Sequence, residues 1–180
     1  PAADDISKAL GLRPNNTGYL LERARFRSNL DQLDLGMADA DKLVELQPQN
    51  TAALVLRSDL RERKGDLAGA LEDLNAAIAA DPKNGDLFGR RGAYYARHND
   101  NDQALLDYKE AIALDPKLAW VHTRMGVLYH NRSDFAQADA SLSKAIELNP
   151  KDIAAYMRRS SARLEANQFE GALADLQEVI

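Results

Sequence analysis

Five of the six prolines in this chain, Pro14, Pro48, Pro82, Pro116 and Pro150, follow one another at intervals of 34 residues. Proline cannot continue a helix, so a fixed proline period marks the close of one structural unit after another. A period of this length means a stacked repeat, in which each unit buries its apolar face against its neighbours. In that frame full units fall at 17–50, 51–84, 85–118 and 119–152, and a truncated unit at 153–180 stops before its proline. Residues 1–16 fit as the second helix of a partial repeat, because Ala2, Ile6, Ala9, Leu10, Leu12 and Pro14 are in register with Ala104, Tyr108, Ala111, Ile112, Leu114 and Pro116. The chain is therefore expected to begin and end inside repeats, as a piece of a longer array does, or as an array that has lost its capping helices does.

Each unit reads as two helices. In 85–118, Leu87, Phe88, Arg91, Gly92 and Tyr95 keep helical spacing, Asn99-Asp100 interrupts it, and Ala104, Leu105, Tyr108, Ala111 and Ile112 resume it. The interruption recurs in register at Gly65-Asp66 and Ser133-Asp134, where Gly or Asn suits a left-handed helix end and Asp suits an N-cap. Small residues stand where paired helices must approach: Ala24, Ser58, Gly92, Gly126 and Ser160 in the first helices, Gly36, Ala70, Ala104, Ala138 and Ala172 in the second. Larger residues nearby fill the gaps, as close packing requires. The expectation is an all-α fold of eleven helices or part-helices, antiparallel in pairs, with no strand.

Together with the prolines, this pattern resembles the tetratricopeptide-repeat (TPR) family, whose repeat has small residues at positions 8, 20 and 27, large apolar ones at 4, 11 and 24, and proline at 32. The resemblance covers the whole chain and is strongest in 85–118 and 119–152. In 17–50, Arg27 replaces the usual aromatic residue and Leu43 the usual alanine. Ankyrin, the other repeat of this length, would show a Thr-Pro-Leu-His run, which is absent. The resemblance implies a right-handed α-solenoid of stacked helical hairpins that serves as a non-catalytic protein-binding scaffold or adaptor. In the family, positions 2, 5, 6, 9, 12 and 13 of the first helices face a ligand groove. Transferred here, they give an arginine ladder at Arg90, Arg124 and Arg158, joined by Arg97 and Trp120. The same transfer puts Gly89, Ala93 and Ala96 on a groove floor stripped of bulk, which makes a pocket. The chaperone-tail carboxylate clamp known in the family does not transfer, since in each of three possible windows only its last arginine is matched.

A covariation inside the chain points to scaffold ion pairs. Repeat position 7 carries Arg23, Arg57, Arg91, Met125 and Arg159, and position 23 carries Asp39, Asp73, Asp107, Ser141 and Asp175. Both partners are lost together in 119–152, so the pair is expected within a unit, linking its two helices. Pairing each aspartate with the next unit's arginine would set Asp107 against Met125.

Nothing in the sequence reads as an active site. His98, His122 and His130 form no His-Glu-x-x-His arrangement, and there is no Gly-x-Ser-x-Gly elbow or phosphate-cradling glycine loop. The absence of cysteine removes disulfides, thiolate zinc sites and thiol nucleophiles. No catalytic residue, metal ligand or cofactor is therefore assigned. A net charge of -5 argues against nucleic acid, whose binders are strongly basic, and no run approaches the ~20 apolar residues of a membrane span. The expected partner is a protein or an acidic, carboxylate-bearing peptide, since arginine offers a fixed fork for carboxylates and Trp120 a flat apolar anchor. Two alternatives are self-assembly through apolar repeat ends such as Leu173, Leu176 and Ile180, and an accessory arm of a larger enzyme.

Overall fold

A computed structural model describes residues 2–179, with side chains from residue 5 to residue 179. Ala2 and Ile180 thus fall outside the described side chains. Among the described residues there are eleven helices and no strand: α1 (Ala2–Leu12), α2 (Thr17–Asn29), α3 (Leu33–Leu46), α4 (Thr51–Arg63), α5 (Leu67–Ala80), α6 (Gly85–Arg97), α7 (Asn101–Leu114), α8 (Ala119–Asn131), α9 (Phe135–Leu148), α10 (Ile153–Glu165) and α11 (Phe169–Gln177). No described helix is long and apolar enough to cross a membrane. The described helices group into two compact bodies, one ending at Pro82 and the other beginning at Lys83. In the first, α2 pairs with α3 and α4 with α5, while α3 packs on α4. In the second, the pairs are α6 with α7, α8 with α9 and α10 with α11, and α8 lies beside both α6 and α10.

Local chemistry fixes the helix ends. Gln47, Asp81, Asp115 and Asn149 each precede a proline and adopt φ of -139°, -141°, -137° and -137°. A proline ring excludes the helical conformation from the residue before it. Within the hairpins, Gly65, Asn99 and Ser133 take the left-handed conformation with φ of +86°, +64° and +59°, as the sequence pattern requires. The next residues, Asp66, Asp100 and Asp134, accept the backbone N–H of Gly69, Gln103 and Gln137 and so cap the second helices. A second set of caps, Asn16, Asn50, Asn84 and Asp152, starts the first helices, while Leu118 caps α8 with no side-chain bond. Each side-chain cap is worth ~1 kcal/mol.

Small residues let the paired helices close. A Cβ added at Gly92 would stand 2.7 Å from the Tyr108 ring, and one at Gly126 would stand 2.5 Å from Leu142. Where the same position is serine, its hydroxyl donates across the hairpin, Ser58 to the Ala70 carbonyl at 2.8 Å and Ser160 to the Ala172 carbonyl at 3.3 Å.

The covarying residues form the expected ion pairs, each within one hairpin. Arg57 donates to both oxygens of Asp73 at 2.9 and 2.6 Å, and Arg91 to both of Asp107 at 2.8 Å. Arg23 binds Asp39 at 2.9 and 2.6 Å, and Arg159 binds Asp175 at 3.0 and 2.5 Å. Contacts of Arg23 with Asp39 and of Arg27 with the Leu35 carbonyl run in opposite senses along α2 and α3, which makes the pair antiparallel. Met125 sits instead in an apolar cluster with Leu105, Tyr108 and Val121.

Two features enlarge this picture. Arg27, Arg61 and Arg163 bring a second guanidinium to the same aspartates, at 2.6, 3.0 and 3.0 Å. Arg27, where the repeat pattern has an aromatic residue, is therefore a working part of the pair. Arg23, Arg57 and Arg159 also reach back to the preceding second helix, donating to Ser7, Asp41 and Ser143. Three helices are tied by one side chain.

Candidate functional site

Residues 90, 124 and 158 occupy the same repeat position on α6, α8 and α10, which are neighbours within the second compact body. All three arginines are exposed, but they differ in their electrostatic surroundings. Arg90 donates to Asp86 at 2.6 Å, one turn back on its own helix, so much of its charge is answered locally. Arg124 and Arg158 make no hydrogen bond or ion pair among the described residues. Glu165, the other acidic residue near this ladder, lies 3.4 Å from His130 Nε2.

Trp120 is half-buried, and its position explains Gly89. A Cβ on Gly89 would stand 2.7 Å from the Trp120 ring and 3.0 Å from Val121, so the indole lies over the glycine. Gly89 is buried and contributes no open floor, unlike the bare floor drawn from the sequence. The missing side chain creates the seat on which the tryptophan rests.

Ala93 and Ala96 are placed differently. They line a cavity of about 260 Å³ bounded by α6, the turn after it, α7 and α8. Arg97, Arg124, Asn99, Asn101 and Asn131 also line it. Tyr108, Val127 and Leu128 complete the lining, and no carboxylate is among these residues.

Tyr108 was legible in the sequence only as a large core residue. Its side chain is fully buried, yet its hydroxyl has no hydrogen-bond partner among the described residues. Burial pushes its pKa up to about 12, and the nearby Arg124 and Arg97 charges act in the opposite direction. The hydroxyl is therefore protonated at neutral pH. A signal existed in the sequence: Leu74 and Leu142 occupy the same repeat position, so a hydroxyl there is not demanded by packing.

The histidines do not converge. His98 packs on Tyr94 with ring centroids 4.6 Å apart, and His122 is buried with Nε2 3.4 Å from the Pro116 carbonyl. Burial lowers the His122 pKa below the ordinary imidazole value. Among the described residues no three His, Cys, Asp or Glu side chains stand together as metal ligands would.

Known proteins share this arrangement of helices. The chain resembles a TPR protein of Thermus thermophilus at 28% identity, with 91% of this chain and 89% of that one aligned and a TM-score of 0.76. Yeast Tom70 aligns at 23% identity over 98% of this chain and 38% of its own, with a TM-score of 0.85. YrrB, described as a TPR protein with an unusual peptide-binding site, aligns at 21% identity over 99% and 92% of the two chains, with a TM-score of 0.68. No curated protein sequence matches the chain significantly. A TPR repeat model matches residues 92–133, and a tetratricopeptide repeat model matches residues 21–85 and 123–180. The second match alone covers more than half of the sequence, and with the helix period, the caps and the hairpin packing it establishes that the chain belongs to the tetratricopeptide-repeat family.

Proposed function

We propose that this chain is a non-catalytic scaffold that holds an extended, acidic segment of a partner protein against its first helices. The repeat units at 17–50, 51–84, 85–118, 119–152 and 153–180 are its building blocks. TPR folds are typical of protein–protein interaction scaffolds, and a peptide-binding site is what the description of YrrB names. The observation that carries the reading is the pair Arg124 and Arg158, exposed at equivalent positions on adjacent helices and free of ion pairs among the described residues. Arginines committed to the scaffold are bound to aspartate, as Arg57 is. Side chains that leave their charge to solvent at a repeating position suit a ligand of opposite charge. Trp120 offers the adjoining apolar contact.

Calorimetric titration of an acidic decapeptide, with a charge-neutral peptide of equal length as control, tests this. Binding of the acidic peptide that weakens as salt rises from 50 to 300 mM is expected. Equal binding of both peptides, or none of either, removes the reading.

A specific observation favours one further reading. Ile153, Met157, Phe169 and Leu173 are each more than half exposed in the last hairpin. Stacking on another copy would cover them. Light scattering across concentration distinguishes this outcome, which predicts a mass that rises with concentration.

A further inference from the structure

The cavity over Tyr108 has the chemistry of a binding site in its own right. A buried hydroxyl without a partner is destabilising, and packing alone does not call for it, since leucine fills the equivalent place at Leu142. The cavity supplies donors in excess. Tyr108 brings an O–H and Arg124 a guanidinium to its lining, and the amides of Asn99, Asn101 and Asn131 can offer N–H there. A site with these donors, the unpaired charge of Arg124 and no carboxylate among its lining residues is matched by an oxyanion. Its volume, about 260 Å³, lies below that of pockets for drug-sized molecules and suits one head group.

We infer that this cavity receives a single carboxylate, which accepts hydrogen bonds from the Tyr108 hydroxyl and from the Arg124 guanidinium. The carboxylate comes from an acidic side chain of the bound segment or from its chain end, and its delivery by a peptide rests on the groove reading above. Bound in this way it satisfies the buried hydroxyl, which water-exposed arginines elsewhere on the helices cannot do. Tyr108 then discriminates carboxylate from apolar groups, because an apolar occupant leaves the hydroxyl unpaired.

Two arms test the inference and separate its failure from that of the groove. In the first, sodium acetate replaces sodium chloride at constant ionic strength. Side-chain N–H resonances of Asn99, Asn101, Asn131 and Arg124 are followed by NMR in wild type, Tyr108→Phe and Arg124→Gln. Tyr108→Phe keeps the ring that packs on Gly92, and Arg124 is on the surface, so both variants retain the fold. Saturable shifts in wild type, with affinity at least about tenfold weaker in each variant, are expected for loss of a hydrogen bond to a charged group.

The second arm titrates two peptides of otherwise identical neutral sequence, one with a single internal glutamate and an amidated end, the other with no acidic residue and a free C-terminus. The peptide whose affinity falls in Tyr108→Phe identifies the source of the carboxylate. Acetate shifts that respond to both substitutions, with neither peptide bound by wild type, uphold the cavity and remove the groove. No acetate shift at these residues, or shifts and peptide affinities unchanged in Tyr108→Phe, overturns the inference and leaves Tyr108 as a core residue.

Discussion

Replacing Asp73 with asparagine keeps the shape of a buried side chain and removes the charge that organises the α4–α5 hairpin. Asp73 is 2% exposed and accepts two hydrogen bonds from Arg57, at 2.9 and 2.6 Å, while Arg61 stands 3.0 Å away. The Arg57 and Arg61 side chains are only 17% and 23% exposed, so Asp73→Asn leaves two poorly solvated guanidiniums with only the more exposed carboxylates of Asp41 and Asp66, at 3.3 and 3.6 Å, to answer them. Breaking a buried pair costs ~3–5 kcal/mol, and the residual solvent contact of the arginines places this case near ~3 kcal/mol. Glu147→Gln, which removes the exposed pair with Lys144, serves as control and should cost under ~0.5 kcal/mol.

The fourth repeat supplies the complementary experiment, since it carries Met125, Tyr129 and Ser141 at the positions of Arg57, Arg61 and Asp73. Importing that set as Arg57→Met, Arg61→Tyr and Asp73→Ser removes all three charges together, and should cost under ~1.5 kcal/mol. Urea unfolding followed by circular dichroism gives the totals, and hydrogen exchange of α4 and α5 amides locates them, because repeat arrays need not unfold in one step. An Asp73→Asn protein within ~0.5 kcal/mol of wild type, or a triple variant as unstable as the single one, would refute the reasoning.

Further predictions follow from the packing and the titrating groups. Gly92→Ala drives a Cβ into the fully buried Tyr108 ring and should destabilise by ~1–3 kcal/mol in urea melts. Gly89→Ala meets Trp120, which is half-buried and can shift, so it should cost less while changing the emission of this chain's single tryptophan. Burial lowers the His122 pKa, so its contribution to stability is complete above the unfolded imidazole value and is lost as pH falls through the lower folded value. The unfolding free energy of wild type relative to His122→Gln should therefore be flat above about pH 7.5 and decline toward pH 5. A difference that grows as the pH falls would reverse the assigned direction.

The period, the hairpins and the ion pairs were legible because each rests on contacts within one repeat, where sequence offset translates directly into geometry. Arg57 and Asp73 are sixteen residues apart and meet because two helices of fixed length fold back on each other. The bond from Arg57 to Asp41 also spans sixteen residues but crosses between hairpins, and it depends on how α4 seats against α3. No local pattern specifies that. Arg27 reads as a departure from the repeat until Asp39 is seen to accept from it as well as from Arg23.

Among the candidate site residues, the arginine positions follow from the repeat frame, but their ionic partners do not. Asp86 answers Arg90, while Glu165 lies beside His130 and leaves Arg158 without a partner. Gly89 and Ala93 look alike in sequence as bulk-free positions. One lies beneath an indole and the other lines a cavity, because the Trp120 ring leans toward α6 at only one of them. The Tyr108 hydroxyl was hidden for a related reason, since a core position is identified by its ring and not by where the ring's far end points.

The central claim, that unpaired arginines on the first helices hold an acidic segment, is tested most directly by calorimetry of one acidic peptide with wild type, Arg124→Ala and Arg23→Ala. Arg124 has no hydrogen-bond or ion-pair partner among the described residues, whereas Arg23 is bound to Asp39 and Ser7 within the scaffold. Affinity reduced by about tenfold or more in Arg124→Ala, as loss of one charge-assisted contact requires, and little changed in Arg23→Ala where that variant remains folded, is the predicted result. Equal affinity in wild type and Arg124→Ala, or a ligand located on the second helices, would contradict it.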